Sequence, residues 1–321
     1  MPTLSLVVPA TDAPPTLARC LVRVAAADDG PEEVIVVDAP ESLSAAAARN
    51  VGAARATGDV IVFLDADVEV HADAFTRIRA AFTADPELVA VYGAYDDSPG
   101  AWSTVSAFRN LLHHHVHHQS GGRSETFWTG LGAVRRHRFL AVGGFDEGRY
   151  PHPSVEDIDL GHRLAQDGAR ILLDPAIQGS HLKRWTLRSM LWTDFARRGI
   201  PWVALQLRSR RMSSALNLGW RHRLSALACV VAVLALVLMR PVVTAAAVGV
   251  LVVLNRTFYG LLVRRQGPGR ATIGVLLHAL HHLVAVASVP VGIVAGLIAE
   301  SRLAFGRRRV PAGALEESFV E

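Results

Sequence analysis

Short apolar runs alternate with amphipathic stretches through the first two-thirds of the chain, and nearly continuous apolar text fills most of the last third. The run at 4–8, closed by Pro9, and the run at 34–37, closed by Asp38, read as buried parallel strands. Between them, residues 16–27 carry Leu17, Cys20, Leu21 and Val24 at helical spacing, and the Ala-rich stretch 44–56 reads as a second helix. A third strand, 60–64, ends on Asp65, Ala66 and Asp67; a helix over 72–82 and a strand over 89–92 follow. This alternation predicts an α/β sheet. Ligands of open α/β sheets bind at the carboxyl ends of strands, so residues 9–11, 38 and 65–67 are expected at one site. Residues 99–126 break the pattern with a His-rich helix and a Gly-Gly-Arg loop. Stretches 127–136 and 142–146 are rich in glycine, and 155–166 reads as a helix whose acidic opening suits its N-terminal dipole.

The apolar third divides into stretches at 224–239, 242–263 and 271–299. The first two, separated by Arg240 and Pro241, read as a tight hairpin of two spans. The third exceeds the roughly 20 residues that one span needs and contains His278, His281, His282 and Pro290. It reads either as an interfacial helix followed by a span from Leu283 or as one kinked span. Asn255 and Arg256 are expected to face the bundle or to reach toward the basic loop. The predicted organisation is a domain over 1–200, a basic juxtamembrane segment over 201–223, a membrane region over 224–299 and a tail over 300–321.

Charge sharpens this picture. The formal net charge is only +4, but Arg197, Arg198, Arg208, Arg210, Arg211, Arg221 and Arg223 precede the first apolar stretch, and Arg264, Arg265 and Arg270 follow the second. Such clusters mark cytoplasmic flanks of membrane spans. A nucleic-acid surface is the rival explanation, set aside because apolar stretches follow directly. The N-terminal MPTLSLVVPATD lacks the basic start and long apolar core of a signal peptide, so the N-terminal domain is expected in the cytoplasm and the whole in the inner membrane, multi-pass. The two cysteines, Cys20 and Cys229, offer no disulfide framework. The side on which Arg307, Arg308 and Arg309 emerge stays open.

The segment RNVGAARATGDVIVFLDADV joins an Arg-Asn-x-Gly helix to a strand that delivers two carboxylates to the same side of an extended segment. Nucleoside diphosphates need charge neutralisation, which a divalent cation held by carboxylates supplies. Here the chain resembles the family 2 inverting glycosyltransferases, across roughly residues 3–200. The resemblance implies a GT-A fold, a Rossmann-like nucleotide-sugar-binding domain, followed in this chain by the helical transmembrane region. It implies that Pro9, Ala10, Thr11 and Asp38 line the base and ribose pocket, that Arg49 supports the nucleotide side, and that Asp65 meets ribose or metal. Asp67 would bind Mg²⁺ or Mn²⁺. After Asp38 the family usually continues with another Asp and Gly-Ser, whereas Ala39, Pro40 and Glu41 stand here.

The second motif is SVEDIDLGHRL. Displacement at an anomeric carbon needs a base for the acceptor hydroxyl, and Asp157 is the candidate, with Glu156 beside it and Arg163 as a structural or charge partner. By the same resemblance, Trp128, Thr129 and Gly130 lie under donor sugar and acceptor; Trp128 is either a sugar-stacking ring or a core aromatic. In HLKRWTL, His181, Arg184 and Trp185 keep the spacing of the Gln-x-x-Arg-Trp motif of processive synthases, with His in place of Gln. His181 is either a third metal ligand or a hydrogen-bonding residue. Consecutive imidazoles at His113–His115, His117 and His118 point in different directions along a helix, which disfavours zinc and favours a face near the acceptor groove. The expected partners are a nucleotide-sugar donor, a lipid-linked or glycan acceptor and the lipid membrane, with no nucleic acid. A processive polysaccharide synthase and a noncatalytic scaffold of the same fold are the alternatives. A dinucleotide-binding oxidoreductase would want glycines after the first strand, and VVPATDAPP has none.

Overall fold

The computed structural model describes residues 1–209, 216 and 219–308, with only the backbone of 300–308. Arg210, Arg211, Arg309 and the rest of the tail, and the side chains of Arg307 and Arg308, lie outside the described residues. Strands β1 (Leu4–Pro9), β2 (Glu33–Val37), β3 (Val60–Leu64), β4 (Val68–Val70), β5 (Leu88–Tyr95), β6 (Gly122–Ser124), β7 (Leu131–Arg135) and β8 (Arg170–His181) form one sheet of order β2-β1-β3-β7-β5-β8-β4, with β6 also on β8. β1 pairs in parallel with β2 and β3, so Pro9, Val37 and Leu64 finish at one edge. β7 enters antiparallel between β3 and β5, making the sheet mixed.

Helices cover both faces. α1 (Leu17–Ala25) and α3 (Ala74–Ala84) bury Cys20, Val24, Phe75, Ile78 and Phe82 on one side. α2 (Ala45–Arg55), α5 (Arg136–Ala141) and α6 (Glu156–Gln166) bury Ala46, Ala53, Phe139, Leu160 and Leu164 on the other. Ser44 caps α2 by accepting from the Ala47 N–H at 3.2 Å. Phe63 anchors this second core against Phe127, Phe139 and Phe145, with ring centroids at 6.5, 5.4 and 5.2 Å. α4 (Thr104–Gln119) is the His-rich helix, and its histidines tie it down. His114 Nδ1 and His117 Nδ1 sit 2.9 Å from the Tyr95 and Gly93 carbonyls, and His118 Nε2 lies 3.1 Å from the Gln178 amide.

Two strands depart from the sequence pattern. β5 continues three residues past Tyr92, to Tyr95. β8 runs unbroken through Asp174-Pro175, a pair that reads as a turn; the shift in its pairing with β5 between Tyr92 and Ala94 absorbs the extra residues as a bulge. Both extensions carry side chains into the site.

After α7 (Leu187–Trp192), a π-helical turn at Thr193–Gly199 leads into α8 (Ile200–Ser209). α9 (Trp220–Val237) and α10 (Pro241–Leu254) form the hairpin, with Pro241 in the first turn of α10, where its missing N–H costs nothing. The stretch 242–263, one span by pattern, is broken at Asn255. The buried Asn255 amide donates to the Ser225 hydroxyl and to the Leu251 carbonyl, both at 2.9 Å, which satisfies it where a straight helix would leave it in an apolar setting. α11 (Arg256–Arg308) breaks again at Gly267, whose φ of 78° suits glycine. Trp220–Val237 and Arg256–Ala299 are long and apolar enough to cross a membrane, and only 22 % of either apolar window is buried, unlike the core helix of a soluble protein.

The apolar helices are fastened to the domain by polar contacts. Arg265 pairs with Asp97, and Arg270 reaches the Trp102 carbonyl at 3.4 Å. Arg109 of α4 pairs with Asp194 of the π-turn at 2.7 Å, and His281 of α11 lies 2.8 Å from the same carboxylate. Both members of the Arg109–Asp194 pair are buried. Asp194→Leu is therefore expected to cost about 3–5 kcal/mol by leaving Arg109 charged and unpaired, and Arg109→Met with Asp194→Leu to recover much of that loss. Thermal unfolding of the detergent-solubilised proteins measures both; equal losses in the single and double variants would contradict it.

Candidate active site

The edge where β1, β2 and β3 end opens into a cavity of about 240 Å³ whose lining includes Arg49, Asp65, Asp67, Trp128, Thr129, Glu156, Asp157, His181 and Trp185. Nine of the sequence-predicted residues thus come together from α2, α6, β8 and three loops. Pro9, Ala10, Thr11 and Asp38 stand at the neighbouring strand ends, outside this lining; Ala10 N–H bonds to the Val37 carbonyl at 2.8 Å and the Thr11 hydroxyl to the Leu43 carbonyl at 3.1 Å. Gly130 lies just beneath. A Cβ there would stand 2.1 Å from the Trp128 ring, so the indole's position requires glycine. Arg184 is exposed and off the cavity, whereas Lys183 beside it lines the wall and lies over the Trp185 ring at 4.8 Å.

Arg49 organises the carboxylates. Buried on α2, it contacts Asp65 at 2.8 Å and Glu156 at 3.0 Å, joining the end of β3 to the start of α6. Asp157, next along α6, accepts from the Ile158 N–H at 2.8 Å and from the Thr129 N–H at 3.4 Å. Burial first, and then the neighbouring Glu156 charge, push the Asp157 carboxyl up to about 7 against the pull of Arg49. A carboxylate tuned this way is suited to accept a proton near neutral pH. Arg163, further along the helix, binds Asp159 at 2.9 Å and the Val142 and Gly144 carbonyls at 2.7 Å, which locks α6 to the glycine-rich turn.

Asp67 lines the same cavity beside His181, their nearest N and O 3.5 Å apart. Burial acts to raise the Asp67 pKa, but His181 and Lys183 outweigh it and hold it below the usual carboxylate range, so Asp67 is ionised. A carboxylate beside an imidazole, with Asp65 one residue away on Arg49, is a donor set that fits Mn²⁺ or Mg²⁺. Among the described residues no three His, Cys, Asp or Glu side chains form a preformed metal cluster, so protein donors alone do not complete a shell.

Sequence reasoning missed Tyr95, Arg109, Phe127, Lys183 and the described juxtamembrane arginines Arg197 and Arg198 as wall residues. Tyr95 was signalled by its place at a strand end, had the strand been carried through Gly93. His113 and His117 also line the wall; burial lowers both imidazoles, His117 to about 4, so they act as neutral groups.

Residues 39–142 match the family model described as glycosyl transferase family 2. The match lies within the N-terminal domain and supports a family 2 glycosyltransferase. Over 171 residues, half of this chain, it is 30 % identical to the pre-mycofactocin glycosyltransferase of Mycobacterium tuberculosis, of which that match covers 34 %. Over 175 residues, 47 % of this chain, it is 26 % identical to a probable N-acetylgalactosaminyltransferase 7 of Caenorhabditis elegans, covering 29 % of it. The chain thus spans about a third of the length of these relatives. The mannosyltransferase PcManGT from Pyrobaculum calidifontis, solved with GDP-Man and Mn²⁺, superposes with a TM-score of 0.53 at 16 % identity over 90 % of this chain and 87 % of its own. That likeness shows the fold to be GT-A.

With Asp157 as the base, its raised carboxyl predicts a pH profile. Below about 7 a proton occupies it and the base is lost, so kcat/KM for sugar transfer is expected to fall toward acid with a midpoint near 7. Asp157→Asn is expected to lower kcat by about 10²–10⁴. The folded carboxyl binds its proton more tightly than the unfolded one, so its stability contribution declines as pH rises through that value, and Asp157→Asn is expected to melt above the parent at pH 8. A pH–rate series and melting curves at pH 5 and 8 decide; a flat acid limb would sink the base assignment.

Proposed function

We propose that the protein is a membrane-bound, metal-dependent inverting hexosyltransferase, moving a sugar from a nucleotide-sugar donor to a lipid-linked or glycan acceptor at the cytoplasmic leaflet. The observation that carries this reading is the pair of differently tuned carboxylates lining one cleft: Asp67, beside His181, held below the usual carboxylate range, and Asp157, pushed up to about 7.

The chemistry assigned to these residues is a single displacement. Asp157 takes the proton from the acceptor hydroxyl as that oxygen bonds to the anomeric carbon. The bond to the diphosphate breaks on the opposite face, and the configuration inverts. Asp67, His181 and Asp65 would hold a divalent cation, which when bound neutralises the diphosphate charge. Arg49 keeps Asp65 and Glu156 in place, and the Thr129 N–H orients Asp157. Pro9, Ala10, Thr11 and Asp38 flank the cleft at the adjoining strand ends and are assigned to the nucleoside. Trp128, Thr129, Gly130, Glu156, Arg184 and Trp185 are assigned to the sugar and acceptor side, Gly130 through its support of Trp128 and Arg184 from outside the cavity wall. The binding of GDP-Man and Mn²⁺ by the mannosyltransferase of the same fold supports the donor class.

Membrane attachment rests on the exposed apolar faces of α9 and α11. The basic segment bearing Arg265 and Arg270, expected as a loop, lies in α11 on either side of the break at Gly267; it contacts the domain at Asp97 and Trp102, so the two share a side, which by the positive-inside rule is the cytoplasm.

Release of a nucleoside diphosphate by the detergent-solubilised protein, across a panel of UDP-, GDP- and dTDP-sugars with membrane lipid extract, is expected for one donor with Mn²⁺ or Mg²⁺. Chelation by EDTA should abolish it, and Asp67→Ala should lower kcat/KM about a hundredfold or more. Turnover that survives both treatments would refute metal dependence, and no turnover with any donor would favour a noncatalytic scaffold.

A further inference from the structure

The His181 imidazole is held by a ring face. The metal-binding histidines of proteins are ordinarily oriented by a hydrogen bond from the second ring nitrogen to a carboxylate or carbonyl. Among the described residues, the His181 side chain makes no such bond; its Nε2 lies 3.5 Å from Asp67, beyond a good hydrogen bond. Its ring lies flat on Tyr95, with centroids 4.2 Å apart and planes 10° from parallel. The pile continues behind. Tyr95 rests on His113 at 4.3 Å and His113 on His117 at 3.9 Å, while Trp128 closes the side with its ring edge-on to Tyr95 at 4.9 Å.

The backbone beneath the pile is pinned to keep the two rings face to face. Tyr95 ends β5 opposite Gly179 of β8, two residues before His181. The next residue, Asp96, accepts from the Ser180 hydroxyl and lies 2.9 Å from His71 Nε2, and its N–H donates to the Gly179 carbonyl at 3.0 Å. His114 holds the Tyr95 carbonyl at 2.9 Å from the other side. Side chains of β4–α3, β8 and α4 thus converge on a two-residue segment whose one large ring supports the histidine that faces Asp67.

We infer that Tyr95 is the positioning residue for the cation site: stacking on it presents the His181 imidazole to a divalent ion beside Asp67. Tyr95 contacts neither the ion nor the reacting atoms, and a ring of similar size does the same work without the hydroxyl. This rests on the reading of Asp67 and His181 as metal ligands.

The test is the affinity of the full-length, detergent-solubilised chain for Mn²⁺, followed by electron paramagnetic resonance with saturating UDP or GDP, whichever the parent binds. Tyr95→Phe keeps the ring face and is expected to match the parent. Tyr95→Leu is expected to weaken Mn²⁺ binding about tenfold or more, toward the level of His181→Ala. A purely structural Tyr95 would shift the melting temperature of Tyr95→Leu with no change in Mn²⁺ affinity of its folded fraction. Should the leucine variant not fold, Tyr95→Met, which fills the volume without a flat face, takes its place. Parent-like Mn²⁺ affinity in the leucine or methionine variant, with weakened binding in His181→Ala, overturns the inference and leaves the metal reading intact. Unchanged affinity in both His181→Ala and Asp67→Ala overturns the metal reading, and the inference with it.

Discussion

Four carboxylates, Asp65, Asp67, Glu156 and Asp157, share one cleft, and a single buried guanidinium makes that arrangement tolerable. Arg49 is desolvated, which disfavours its charge, yet Asp65 and Glu156 hold it protonated. Losing both partners would leave that charge buried and unpaired, at a cost of about 3–5 kcal/mol. Everything else in the site follows from where this pair of contacts lies. It ties the third strand to the acidic helix, so Asp157 is held among the carboxylates. It also occupies the charge of Asp65 and Glu156, leaving Asp67 and Asp157 as the two carboxylates with distinct environments and distinct proton affinities.

The two strong motifs were legible because each is local. Asp65 and Asp67 follow a run of five fully buried apolar residues that can only be a central strand, and the acidic opening of α6 marks a helix start. The partnership of Arg49 with both motifs was not legible in detail. It spans 107 residues to Glu156, and no spacing rule predicts a contact made through the fold. Tyr95 was hidden for a different reason. Gly93 and Ala94 weaken the strand pattern, and tertiary pairing with β8 overrides that local preference. The pattern over 170–181 predicted no element, so β8, which runs through Asp174-Pro175, was hidden as well, and with it the reason His181 arrives at the cleft on a strand end.

The His-rich stretch shows how composition misdirects. Five imidazoles in six positions suggest a ligand shell, but in the fold they are divided between tasks. His114, His117 and His118 fasten the helix to β5 and β8. His113 joins the aromatic wall, and His115 turns to the apolar helices, with its ring 5.3 Å from that of Phe258. The break at Asn255 has a related logic. A buried amide inside an apolar stretch is satisfied by a neighbouring helix, and the chain bends to reach it.

The polar fastenings at Asp97, Trp102 and Asp194 tie the cleft directly to the apolar helices. On the proposed reading of a membrane-bound transferase, an enzyme so mounted would hold its cleft at a constant height over a bilayer and at a constant tilt. For an acceptor dissolved in that bilayer, the search for a partner takes place in two dimensions. The quantity that governs encounter is then the number of acceptor molecules per unit area of lipid, and dilution of the surrounding water leaves it unchanged.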